Sequence, residues 1–104
     1  MIDLQEHGIE LDNGVERNRE APDTFEIPCA YERCNIGVGE YAKLMFINKN
    51  NEGDLWAERM WVKITKVTDE GYIGTLANDP LSLTSLTFGT DISFGADNVI
   101  DITK

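Results

Sequence analysis

Apolar and polar residues alternate most regularly in the second half of the chain. Ala42 to Asn48 (A-K-L-M-F-I-N) reads as a largely buried strand, and the polar stretch Lys49 to Asp54 predicts the loop of a hairpin. From Arg59 to Val67, Met60, Val62 and Ile64 alternate with Trp61, Lys63 and Thr65, the period of a strand with one face turned inward. Asp69-Glu70-Gly71 predicts a tight turn. Tyr72 to Ala77 predicts a third strand, in which Gly74 marks a bulge or a close approach of backbone, and Asn78-Asp79-Pro80 stops it. Asp91 to Phe94 and Asn98 to Ile102 add two short strands separated by Gly95-Ala96-Asp97.

Five short antiparallel strands must hide both an apolar face and their edges, which favours curling. The expected fold is therefore mainly β: a small five-stranded SH3-like barrel, or a strongly curled antiparallel sheet, with a short N-terminal helix or mobile segment. An open α+β sheet with that helix across one face is the alternative. The chain changes character near Pro22, since all nine aromatic residues lie at Phe25 or beyond. Residues 1–22 accordingly read as an N-terminal extension, partly helical or mobile, and residues 23–104 as a single β domain carrying the core. Within the extension, Val15 to Ala21 predicts two helical turns ended by Pro22, and Asp12-Asn13-Gly14 predicts a turn.

A length of 104 residues leaves room for one core. Nineteen acidic residues against nine basic ones give a formal charge of −10, which repels phosphate backbones and anionic lipid headgroups. Nucleic acid and membrane surfaces are thereby disfavoured as partners, while a basic protein is not; solubility alone also accounts for such a surface. Met1 to Glu6 lacks the basic and apolar segments of a secretory signal, and no run approaches the roughly 20 apolar residues of a membrane span, so a cytoplasmic location is expected. Cys29 and Cys34 are too few for a disulfide framework and are expected to stay reduced there.

The search for chemistry turns up mostly mismatches. His7 is the single histidine and lies in the extension, which argues against a His-based nucleophile system. Gly37-Val38-Gly39 matches only part of a dinucleotide fingerprint and leads into a strand, so it reads as a turn. His7, Cys29 and Cys34 cannot complete a zinc site, and Asn48-x-Asn50-x-Glu52-Gly53 resembles the start of a calcium loop but has Arg59 where a bidentate Glu is required. No cofactor or metal is expected. Glu58 beside Arg59 is the charged cluster that stands out, with a solvated strand end as its bland reading. Trp61 either packs with Val67 in a second small core or serves as a contact residue, with packing favoured. Trp56, next to Leu55, is the better candidate for an exposed recognition residue.

Read in order, Phe25-x-Ile27-Pro28, Gly39 with Lys43-Leu44-x-Phe46, Glu58-Arg59-Met60-Trp61-Val62, Gly71-Tyr72-x-Gly74-x-Leu76-x-Asn78-x-Pro80, Gly89, Phe94 and Ile100 with Asp101 resemble the YegJ-like family of uncharacterised bacterial domains. The resemblance spans about residues 25 to 102. Where that family commonly carries Gly-Asp ahead of its strands, this chain has Gly39-Glu40 and Gly89-Thr90-Asp91. Most of the matched residues read as scaffold, and the resemblance implies an accessory or immunity-type protein rather than an enzyme.

Two functional readings follow. The first is a non-catalytic protein-binding module that meets a basic partner with the help of Trp56, Trp61 or Tyr72. The second is a small-ligand binder or enzyme in which Glu58, Arg59, Asn78 and Asp101 converge on a concave pocket.

Overall fold

The structure is a computed structural model, and it describes residues 1, 3–49, 56–81, 83 and 85–103. Six strands form one antiparallel sheet: β1 (Ile9–Leu11), β2 (Tyr41–Asn48), β3 (Ala57–Thr68), β4 (Gly71–Leu76), β5 (Asp91–Phe94) and β6 (Val99–Thr103). The order is β1-β2-β3-β4-β5, with β6 also on β2. The sheet curls into a half-barrel. Of the expected forms it is the strongly curled sheet, and β5 has β4 as its ladder partner among the described residues.

All five predicted strands are present, with boundaries shifted by up to two residues at their starts. The sixth, β1, corrects the expected count. Its Ile9 is 2% exposed and belongs to the core, and Leu4 and Leu11 pack at the core's margin. Three residues with two apolar side chains carry too little pattern to announce a strand. β1 forms because the edge of β2 is available: Ile9, Glu10 and Leu11 pair with Asn48, Ile47 and Phe46.

The same edge of β2 takes β6 further along, with Leu44 opposite Val99 and Lys43 opposite Asp101. The two pieces run in the same direction. At their junction the Asp12 amide donates to the Met45 carbonyl (2.9 Å), and Asn98 Nδ2 donates to the Asp12 carbonyl (3.1 Å). One long row of the sheet is therefore made from the two ends of the chain.

Alternation along β3 carries the core. Met60, Val62 and Ile64 face inward with Leu44 and Phe46 of β2, and Leu76, Ile92 and Val99 close the interior. Each such side chain contributes about 1.5–3 kcal/mol relative to exposure. Thr65 is an extra residue in the ladder, since Ile64 pairs with Gly74 and Lys66 with Ile73. Gly74 is required opposite that bulge: a Cβ there would lie 2.5 Å from the Lys63 carbonyl oxygen and 2.5 Å from Val62 Cγ1. The predicted hairpin loop Lys49 to Asp54 lies beyond Lys49 outside the described residues, as does the middle of the calcium-loop resemblance, whose first position, Asn48, ends β2 and whose twelfth, Arg59, lies in β3.

Two short helices precede β2. α1 (Gly14–Glu20) is capped by Asn13, whose Oδ1 accepts from the Glu16 amide, so Asp12-Asn13-Gly14 starts the helix expected after it. Asp12 also accepts from Arg17 Nε at 2.7 Å, and that hydrogen bond holds the guanidinium pKa above its usual range. α2 (Ala30–Arg33) has no counterpart in the sequence reading. α1 packs against the 3₁₀ turn Ala96–Asn98 that leads into β6.

Candidate functional site

The outer face of β2 and β3 carries the polar half of each strand's alternation. Three rows follow from the register: Met45 opposite Arg59, Lys43 opposite Trp61, and Tyr41 opposite Lys63, with Asp101 of β6 flanking Lys43. Lys43 Nζ sits 5.3 Å from the centroid of the Trp61 ring. Arg59 Cζ sits 5.3 Å from the ring of Phe25. Each cation-over-ring contact contributes about 0.5–1 kcal/mol at an exposed position.

Phe25 reaches this face because the chain after α1 is pinned across it. The Phe25 amide donates to the Ala21 carbonyl (2.8 Å), and Asn18 Nδ2 donates to the Phe25 carbonyl (2.9 Å). Further on, Arg33 is buried and its Nε donates to the Pro28 carbonyl (2.9 Å), while its Nη1 donates to the Ala96 carbonyl (3.2 Å) and approaches Asp97 Oδ1 at 3.5 Å. Segment 24–28 thus stands as a wall beside β2, β3 and β6. Between wall and sheet lies an open cleft of about 440 Å³. Arg59, Lys43 and Asp101 line its sheet side, and Phe25, Pro28 and Glu32 belong to the other.

Of the four residues expected to converge on a pocket, Arg59 and Asp101 do so. Glu58 points to the opposite face, 8% exposed, where its Oε2 accepts from the Leu81 amide at 2.6 Å. The Asn78 side chain is used locally: Trp61 N–H donates to Asn78 Oδ1, beside the bond from the Ala77 amide to the Trp61 carbonyl (2.9 Å). Asn78 so extends the β3–β4 ladder by one rung.

The aromatic candidates divide as well. Tyr72 is 3% exposed; its hydroxyl donates to the Arg33 carbonyl (2.8 Å) and accepts from the Ile36 amide (3.2 Å), and its ring lies 5.5 Å from that of Phe94. It ties α2 and its exit to the core. Trp61 is half-buried beneath Lys43, and Val67, past the bulge, is 52% exposed, so the two share no second core. Trp56 is 59% exposed. The sequence reading gave Lys43 and Phe25 no site role; what joins them to Arg59 is the register of β2 on β3 and the course of the chain after Pro22.

Among the described residues no group of three or more His, Cys, Asp or Glu is arranged to hold a metal, and no helix is long and apolar enough to cross a membrane. Cys29 and Cys34 are free and exposed at the two ends of α2.

The model of a family described as "uncharacterized protein conserved in bacteria" (DUF2314) matches residues 10–103, nearly the whole chain. The chain belongs to that family. The DUF2314 match begins inside β1 and ends at the last residue of β6, so both halves of the row along β2 lie within it. It carries the part of the resemblance that concerns a bacterial domain of unknown function, and not the narrower YegJ-like grouping. No curated protein and no solved structure matches this DUF2314 chain.

Proposed function

We propose that this DUF2314 protein is a non-catalytic binding module of accessory or immunity type, which meets a basic protein through the end of the sheet where β3 begins. The observation that carries the reading is the presentation of two exposed apolar side chains there. Trp56 precedes β3 and is 59% exposed, and Leu81 is 82% exposed. Leu81 is held in register by Glu58, a buried carboxylate that grips its amide at 2.6 Å. Scattered exposed apolar residues require no explanation, but a buried carboxyl group that fixes the backbone of one does. Tryptophan is among the residues that most often dominate binding energy. The charge of −10 supplies long-range attraction toward a basic partner and raises the rate of encounter.

The test is quantitative capture from the native host on the immobilised full chain, comparing wild type with Trp56→Ala. A basic protein retained by wild type, lost from a Trp56→Ala variant of unchanged melting temperature, and released by moderate salt supports the reading. Equal capture by both chains overturns it. A second reading, small-ligand binding, rests on the cleft at Arg59.

A further inference from the structure

The cleft between segment 24–28 and the outer sheet face holds charges of both signs that do not neutralise one another. Lys43 and Arg59 line it together with Glu26, Glu32 and Asp101. Yet the ion pairs among the described residues lie elsewhere, at Asp12–Arg17, Arg33–Asp97 and Glu10–Lys49. The two cations rest over aromatic rings instead, and two of the carboxylates turn onto their own chain: Asp101 Oδ1 accepts from the Ile102 amide (2.9 Å), and Glu32 Oε1 from Cys29 Sγ (3.4 Å). In a chain with more than twice as many acids as bases, two cations that form no ion pair with the carboxylates sharing their cleft are unusual.

We infer that this cleft binds a free α-amino acid with an apolar side chain, its carboxylate received by Arg59 and Lys43 and its ammonium by the carboxylates of Glu26, Glu32 and Asp101. A zwitterion suits a lining of both signs, because its carboxylate and ammonium hang from the same carbon, so one can face Arg59 and Lys43 while the other stays within reach of the neighbouring Asp101. A plain dianion such as phosphate is disfavoured, since three carboxylates line the cleft against two cations. The apolar part of the ligand finds Phe25, Ile27 and Pro28 on the wall, while on β6 Ile100 is buried and Ile102 packs against the core. At about 440 Å³ the cleft falls within the roughly 300–1,000 Å³ of small-molecule sites. Its geometry is prepared before binding: Asn18 and Arg33 fix the two ends of the wall, and the β2–β3–β6 register fixes the floor.

The experiment is an amide chemical-shift titration of the full chain with L-phenylalanine, N-acetyl-L-phenylalanine and L-phenylalaninamide. Expected are saturable shifts confined to residues 24–28, 43, 59 and 100–102 with the free amino acid, and binding weakened about tenfold or more by either derivative, the loss of one charge-assisted contact. Arg59→Gln should weaken L-phenylalanine about tenfold, and Lys43→Gln serves as the independent second variant. No saturable shift with any of the three overturns the inference. So does equal binding of the N-acetyl compound, which marks a simple anion site, or of the amide, which marks a cation site. Since Trp56 is not part of the cleft lining, Trp56→Ala should leave this titration unchanged, which separates it from the partner-binding reading.

Discussion

Tyr72→Phe removes one oxygen atom and leaves the packing in place. The ring stays against Phe94 and the side chain stays in the core, while two buried hydrogen bonds vanish: the one from the hydroxyl to the Arg33 carbonyl at 2.8 Å and the one from the Ile36 amide at 3.2 Å. A buried hydrogen bond contributes about 1 kcal/mol net, and stranding a buried donor adds its desolvation cost. Ile36 is 4% exposed, so its amide gains little water in exchange. The expected loss is about 2–3 kcal/mol, which at this chain length lowers Tm by about 10 °C. Urea unfolding followed by tryptophan fluorescence measures the first quantity, and hydrogen exchange at the Ile36 amide locates it. A change below about 0.5 kcal/mol, with Ile36 still protected, would refute the claim that Tyr72 acts as the tie between α2 and the core.

Gly74→Ala should destabilise by about 2 kcal/mol or more, because the added methyl meets the Lys63 carbonyl and Val62 across the bulge; thermal unfolding checks this, and a neutral result would mean that β4 can shift freely. Asn78→Ala takes the acceptor from the Trp61 amide and should cost about 1 kcal/mol, with faster exchange confined to Trp61 and its neighbours. Glu58→Ala frees the Leu81 amide, and faster exchange there is expected together with loss of any partner that depends on Trp56. Trp56→Ala should change stability by less than about 0.5 kcal/mol, as befits a side chain 59% exposed; a larger loss would reassign it to the core.

Where side chains alternate strictly, the sequence was a good guide. Met60, Val62 and Ile64 announced both β3 and its buried face, and of the two readings of Gly74, a bulge or a close approach of backbone, the second holds, the extra residue being Thr65 on the facing strand. β1 was not legible, since its three residues gain their stability from the edge of β2 rather than from their own pattern. The site followed the same division. Trp61 was placed on the outer face by parity, whereas Glu58 was read together with Arg59 as one charged cluster, which their opposite parity in β3 separates. The company of Arg59, namely Phe25, Lys43 and Asp101, depends on three separate pairings distant in sequence. Tyr72 was legible as an aromatic on a strand, but its parity leaves open whether the hydroxyl meets water or a carbonyl, and here it meets the carbonyl of Arg33.

The row along β2 assembled from β1 and β6 works as a clasp. β1 has only three residues, and the junction joins residue 11 to residue 99 along one border of the sheet. The hydrogen bond from Asn98 to the Asp12 carbonyl lies at the junction and acts as the catch. Whatever loosens the catch unfastens the two chain ends together and bares the backbone of β2 to any strand waiting to pair with it.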